Sequence, residues 1–383
     1  MKLENGQSLL LEGGRVFECD EMIYENLENI TISSKGFGHA HLTGFKKNGL
    51  HFKNCKSVRI SGLALYGTGW DINDNGIGIK FENCEDVLLE NSFVTGFMNS
   101  GITYTLCKRL QIIGTESSCN GGYGIHAEAS RNLGMSEDIR IAYSKTNNNG
   151  GSRRVLDNHS GSGITICFTK NIIIEYCEAA GNGWAQRQKN TNGPVGIWCW
   201  GNTENIVMRY NIARHNRTQP GTGDGDGFDY DGGVTGGLME YNYSYANEAA
   251  GYLLCEYGSG LLWDNNHVRA CVSLGDITRV KSYGSVHYYA PDPLKMSNST
   301  VEKNLLMPDE GAYVIENAAS GTLCEGMIIR DNIFVENKKP AVSADNIPGM
   351  TIENNKILDI KYNHVPRITE PRVLPLLPLY EML

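Results

Sequence analysis

The sequence predicts an all-β solenoid, one continuous stack of short coils without a helical layer. Three observations lead there. The first is composition: 45 glycines against 11 prolines in 383 residues, with asparagine clusters such as "NNNGG", "DNN" and "ENN". That is the chemistry of strands and tight turns. The second is a repeat that begins at a glycine, and the third is that no repeat unit carries the 3.6-residue apolar period of an amphipathic helix.

The repeat begins with "GLHFKNCKSVRI" at Gly49, "GIKFENCEDVLL" at Gly78 and "GITYTLCKRLQI" at Gly101, each with a cysteine six residues after the glycine. It continues as "GIHAEA" at Gly124, "GITICF" at Gly163, "GIWCWG" at Gly196, "GFDYDG" at Gly227 and "GYLLCE" at Gly251. The intervals are 29, 23, 23, 39, 33, 31 and 24 residues. A period near 23 with insertions of variable length means stacked units, none able to bury its own apolar face. Each unit carries a second strand, such as "SVRISGL", "DVLLENSF", "NIIIEYCE", "NIVMRYNI" or "LMEYNYS". Asparagine follows these second strands at Asn91, Asn211, Asn242, Asn266, Asn304, Asn332 and Asn355. Asn is expected there to adopt the left-handed corner conformation and to stack its amides along the axis.

This pattern resembles the right-handed parallel β-helix of pectate lyases, polygalacturonases and related glycoside hydrolases. The resemblance covers roughly residues 8 to 360 and implies one domain. The tail 361–383, ending "RVLPLLPLYEML", is expected to cover an open end of the stack.

A net charge of -9 and a pI near 5.5 exclude a general nucleic-acid binder, which needs a basic stripe for phosphates. A neutral polymer is easier to accommodate than a polyanion. The opening "MKLENGQSLLLEGG" lacks the apolar core of a signal peptide, and no stretch approaches a membrane span. The chain as written therefore reads as cytoplasmic, or as secreted if its N-terminus is truncated. The 11 cysteines lack CxxC spacing and sit in apolar strand patterns, so buried free thiols are expected.

Strand alternation turns the first and third residues after each repeat glycine inward and the second and fourth outward. The outward column holds Trp198 and Trp200 on one strand and Asp229 and Asp231 on the next, with Glu256 ending the coil after. The insertions "NGGSRRVLDNHSGS", "WAQRQKNTNGP" and "RHNRTQPGTGDGD" are expected to rise as walls beside them. The result is a groove with solvent-facing indoles as a sugar platform and carboxylates for acid, base or nucleophile. Asp229 and Asp231 have Cα atoms about 6.5 Å apart at the usual rise per residue.

The predicted function is a glycoside hydrolase cleaving poly- or oligosaccharides, with Asp229, Asp231 and Glu256 as catalytic candidates. Loose similarity to β-helical xylosidases implies Asp231 as nucleophile and Glu256 as acid. His126, Glu128, His287, Tyr289, Arg279 and Lys281 are expected to border the substrate. This reading needs no cofactor. An alternative is a polysaccharide lyase or uronate epimerase, in which Asp224, Asp226, Asp229 and Asp231 hold Ca2+ or neutralise a uronate while Arg279 or Lys281 abstracts the proton. A third reading is a glycan-binding β-helix without catalysis, resembling phage tail spikes.

Overall fold

Each coil passes through three faces, and its strands pair in parallel with those of the next coil. The computed structural model describes residues 2–359 except 70–75, 129–131, 153–154, 157, 190–191, 292, 318–323, 337 and 344–347. The tail expected to cover the stack lies outside the described residues. One face is a 14-stranded sheet from Ser8–Glu12 to Met350–Glu353, and the second an 11-stranded sheet from Met22–Glu25 to Tyr313–Asn317. The third comprises 5-stranded and 7-stranded sheets, joined through Lys145 by parallel bridges to Glu116 and Glu178. Among the described residues there is no helix. The protein is a parallel β-helix.

The eight repeat glycines stand in line because the strands pass too closely for side chains there. A Cβ on Gly49 would sit 2.3 Å from the carbonyl oxygen of Gly78, and one on Gly163 would sit 2.4 Å from that of Gly196. Contact of the same kind, at 3.1 Å or less, recurs from Gly78, Gly101, Gly124, Gly196 and Gly227 to the next glycine in the series. Past each glycine the alternation holds. The inward pairs from Leu50 and Phe52 to Tyr252 and Leu254 are at most 1% exposed. Like side chains stack along the axis, with ring centroids 5.2 Å apart for Tyr24 and Phe52 and 5.3 Å for Phe52 and Phe81.

The asparagine expectation needs a correction. Asn211, Asn242, Asn304 and Asn332 are buried and Asn355 is half-buried, and their amides do connect coil to coil. Asn211 Nδ2 donates to Asn242 Oδ1 at 3.1 Å, Asn304 Nδ2 to Asn332 Oδ1 at 2.9 Å, and Asn332 Nδ2 to Asn355 Oδ1 at 2.9 Å. Cys271 takes the missing rung. The left-handed residue is the one before each: Tyr210, Tyr241, Lys303, Asp331 and Asn354 have φ of 54–57°. Turn exposure explains the division, since the outer residue bends the chain while the inner amide must find partners away from water. Asn91 and Asn266 stand apart from this ladder: Asn91 itself takes the expected left-handed conformation, with φ of 44°, while Asn266 accepts from Gly237 N–H and donates to the Val234 carbonyl.

A second buried ladder, which the sequence reading did not identify, occupies the corner before the 11-stranded sheet. Asn120, Asn149, Asn182, Asn216 and Asn247 each donate a backbone N–H to the side-chain oxygen of the next, ending on Asp276. The ten cysteines with described side chains are free, and only Cys119 among them is exposed.

Gly163→Ala tests the glycine line. Its added methyl meets the Gly196 carbonyl, Thr146 Oγ1 at 2.8 Å and Ala179 Cβ at 2.9 Å. We expect a loss of about 1–3 kcal/mol, the usual cost of overpacking, read as a lower midpoint in urea unfolding. An unchanged midpoint would show that the coils separate freely at this edge.

Candidate active site

The outer face of the 11-stranded sheet carries a cavity of about 790 Å³. Its floor is built by strands and its walls by the loops that precede them. Val195–Trp200 supplies Trp198 and Trp200, Asp226–Tyr230 supplies Asp229 with Asp231 just beyond it, Tyr252–Cys255 supplies Leu253 and Cys255, and Gly284–Tyr289 supplies His287 and Tyr289. Parallel register sets the order, with Trp198 beside Asp229, Asp229 beside Leu253 and Leu253 beside His287. The walls bring Asn158 and His159, Asn192 and Gly193, Gly221 to Asp224, and Val280, Ser282 and Tyr283. Three of these four walls are the insertions whose length the sequence shows.

The tryptophans do not face solvent as expected. Trp198 is 3% exposed because the wall closes over it. Its Nε1 donates to Thr165 Oγ1 at 2.8 Å, and the His159 ring meets its face edge-on at 4.6 Å. Trp200 is half-buried, with a buried Nε1 that has no hydrogen-bond partner. The aromatic platform is therefore an interior surface.

Three aspartates line the cavity, and a fourth lies behind them. Asp224 Oδ2 accepts from Gly193 N–H at 2.6 Å and its Oδ1 from Tyr283 O–H at 3.2 Å. Burial pushes its carboxyl up to about 7, against the pull of these donors. Burial also pushes Asp231 up to about 7, opposed by the Cys255 thiol and Gly232 N–H. Asp229 is 2% exposed, and its Oδ1 has no partner. Burial, then the charges of Asp231, Asp226 and Asp224, hold it well above the ordinary carboxylate range. Asp226 begins the strand rather than belonging to the loop; its Oδ1 accepts from Ala250 N–H at 2.6 Å.

These contacts do not make the Ca2+ site of the alternative reading. The oxygens of Asp224 are engaged by N–H and O–H donors, and among the described residues no three His, Cys, Asp or Glu side chains are arranged to hold a metal ion.

Several sequence candidates fall away from the cavity lining. Glu256 caps the following turn, its Oε1 accepting from Gly258 and Ser259 N–H, both at 2.7 Å, and its Oε2 from Ser259 Oγ at 2.9 Å. The strand ends at Cys255, so alternation no longer aims the next side chain. Arg279 pairs with Glu248 at 2.9 Å and Lys281 with Asp309 at 2.6 Å. Glu128 is exposed and lies 3.7 Å from Lys80. His126 stacks on Tyr123 at 4.2 Å, and burial with the nearby His159 pushes its imidazole down to about 3.

Among the lining residues not singled out from sequence are Tyr283, Glu316 and His159. Tyr283 bonds Asp224 and stacks on His287 at 3.9 Å; His287 Nδ1 in turn lies 2.5 Å from Glu316 Oε2. His159 is the third, its imidazole pushed by burial down to about 4. Tyr283 and His159 come from loops, where no periodic signal marks them.

No family model matches the chain. Over 146 residues, 34% of this chain, it is 30% identical to the lacto-N-biosidase of Bifidobacterium longum, a match covering 9% of that protein. Its fold superposes on the GH136 lacto-N-biosidase of Eubacterium ramulus with a TM-score of 0.60 at 17% identity, covering 94% of this chain and 63% of that one. A mannuronan C-5 epimerase A-module of Azotobacter vinelandii superposes with a TM-score of 0.61 at 11% identity, covering 91% of each chain. The chain thus spans less than two thirds of either lacto-N-biosidase. The solved neighbours are carbohydrate-active parallel β-helix proteins.

A carboxyl raised in the folded state binds more protons folded than unfolded, so its contribution favours folding at low pH and is lost as pH rises through the folded value. For Asp224 and Asp231 that loss builds from the ordinary carboxylate value of about 4 up to the folded value of about 7 and is complete about one pH unit beyond it. The lowered His126 and His159 act in the opposite sense, costing stability as pH falls below the ordinary imidazole value of about 6.5. Between neutrality and about pH 8 the carboxylates dominate. Thermal melts should therefore fall in Tm across that window, and Asp231→Asn should melt higher than wild type at the alkaline end and show a flatter slope. An equal slope in both proteins would show that Asp231 is not held above its ordinary value.

Proposed function

We propose that the protein is a glycoside hydrolase acting on a neutral oligosaccharide within this cavity, with Asp231 as nucleophile and Asp224 as acid and base. The observation that carries this reading is the lining: Asp224, Asp229 and Asp231 converge, and none of the described lining residues is a lysine or arginine. A uronate would bring another negative charge against these carboxylates with no lysine or arginine among the described lining residues to receive it. The basic residues that a lyase or epimerase would call on, Arg279 and Lys281, are held in ion pairs with Glu248 and Asp309. Similarity to two lacto-N-biosidases supports glycoside cleavage on this frame.

The roles follow from the environments. Carboxyls in electrostatic contact do not ionise together, so one proton is shared and the pair separates into an acid and a base at neutral pH. Asp231, at the end of a rigid strand, attacks the anomeric carbon as carboxylate while Asp224 gives its proton to the departing glycosidic oxygen. Water then displaces Asp231, and Asp224 takes back a proton from it. An acid that must reload each turnover works best near the ambient pH, which suits Asp224. Asp229, held neutral, donates a hydrogen bond to the substrate. Trp200 and Tyr289 offer apolar ring surface to the sugar faces, with Trp198 packed beside Trp200.

Incubation with a panel of neutral and uronic oligosaccharides tests the reaction. Reducing ends should be released from a neutral substrate, without the ultraviolet absorbance of an unsaturated uronate. Asp224→Asn and Asp231→Asn should each lower kcat by about a thousandfold or more. Asp229→Asn keeps a neutral donor and should stay within about tenfold of wild type. Near wild-type turnover in both Asp224→Asn and Asp231→Asn would remove the proposed pair, and uronate elimination would replace the reading by a lyase.

A further inference from the structure

The column that carries Asp231 runs Trp200, Asp231, Cys255, Tyr289 across four successive coils. The pairing of Tyr230 with Leu254 makes Cys255 the next rung opposite Asp231, and Cys255 pairs onward with Tyr289. Adjacent strands lie about 4.8 Å apart, so the thiol and the carboxylate are direct neighbours on the cavity floor. Cys255 is 8% exposed and lines the cavity. It is a free cysteine with no disulfide partner. Neither packing alone nor the mechanism above requires a sulfur here: the other coils carry Trp200 and Tyr289 in the same column.

We propose that Cys255 is a positioning residue for Asp231, its thiol proton engaging one carboxylate oxygen and leaving the other directed at the substrate. The assignment rests on the role given to Asp231 above. Burial, then the charges of Asp231 and Asp229, pushes the thiol well above its ordinary range. The sulfur therefore keeps its proton and is a donor, not a nucleophile. The choice of sulfur over oxygen matters. A thiol is a weak donor, so it orients the carboxylate while stabilising its charge less than a hydroxyl would. Gly232 N–H, at 2.8 Å from Asp231 Oδ1, supplies the stronger bond. Asp231 thus has a fixed orientation and keeps the raised proton affinity that lets it share a proton with Asp224.

The other groups facing Asp231 are Asp226 and Asp229 on its own strand, Asp224 on the wall, Cys199 behind it, Glu256 beyond Cys255, and His287 and Tyr289 one coil further. Substitution at Cys255 leaves all of these in place, so the test compares Cys255→Ser and Cys255→Ala with wild type. The resting protein is titrated by carbon NMR of labelled aspartate carboxyls, with the Asp231 signal assigned by its loss in Asp231→Asn. Serine, a stronger donor, should move the Asp231 midpoint down by about half a pH unit or more, and alanine should move it up by a similar amount.

Where a glycoside substrate is turned over, the acidic limb of kcat should move in the same two directions with KM little changed. Identical Asp231 titrations in all three proteins would overturn the proposal, whatever the activities. Opposite shifts in a protein that cleaves no glycoside would keep the Cys255–Asp231 contact and sink the hydrolase reading instead. Should Cys255→Ala lose the sheet signature in circular dichroism, the serine shift alone decides.

Discussion

Amide hydrogen bonds that pass from coil to coil hold the register on which the rest of the molecule depends. A parallel strand that slips by one residue turns all its side chains to the opposite face. Two buried ladders, through Asn211 and Asn242 at one corner and Asn182, Asn216 and Asn247 at another, connect each coil to a fixed place on the next. Because each amide is cut off from water, a slipped coil would leave donors and acceptors unpaired in the core, at about 1–3 kcal/mol for each lost partner. The line of glycines closes the third side of the argument, since only a residue without Cβ fits beneath the next carbonyl. Fixed register is what sets Trp198 beside Asp229 and Asp231 beside Cys255.

The site opposes the stability of the frame that carries it. Asp224, Asp226 and Asp229 are enclosed with one another and with no lysine or arginine among the described cavity lining, so each ionisation is resisted by burial and by its neighbours. Such a cluster persists only where its surroundings are rigid, and here the floor belongs to a continuous 11-stranded sheet. Elsewhere, two buried glutamates are paired with arginines. Glu175 receives Arg140 and Arg209, and Glu240 receives Arg269. That contrast separates the acidic cavity from the ordinary charged surface.

The sequence was most readable where period governs structure. The glycine positions, the inward pairs and the outward placing of Asp229, Asp231, Trp198 and Trp200 all follow from alternation. Alternation says which way a side chain leaves the strand, but not what lies above it, so the burial of Trp198 under its wall was not legible. It also fails where a strand ends, so it does not foretell that Glu256, one residue past the strand, caps the following turn. The Asn120 to Asp276 ladder escaped notice because its rungs are 29, 33, 34, 31 and 29 residues apart; loop insertions hide a spacing that is constant in space. Tyr283 and His159 reach the cavity from loops, where tertiary contacts alone decide direction.

The ladder that ends at Asp276 has a direction. In its later rungs each asparagine accepts on its oxygen from the coil before and donates its Nδ2 hydrogen to the coil after, through Asn149, Asn182, Asn216 and Asn247. Aligned amide dipoles add, as peptide dipoles do along a helix, so the row has a positive end pointing toward the last coils. Asp276 stands at that end as an acceptor, taking the backbone N–H and Nδ2 hydrogen of Asn247 and the hydroxyl of Ser273. Although burial pushes its carboxyl up to about 6, these donors favour the ionised form. The carboxylate neutralises the accumulated dipole much as an acidic side chain does at a helix N-terminus. The solenoid is therefore electrically polar through its apolar interior, and its coils are not interchangeable: exchanging Asn247 with Asp276 would put a charge within the row and leave its positive end open.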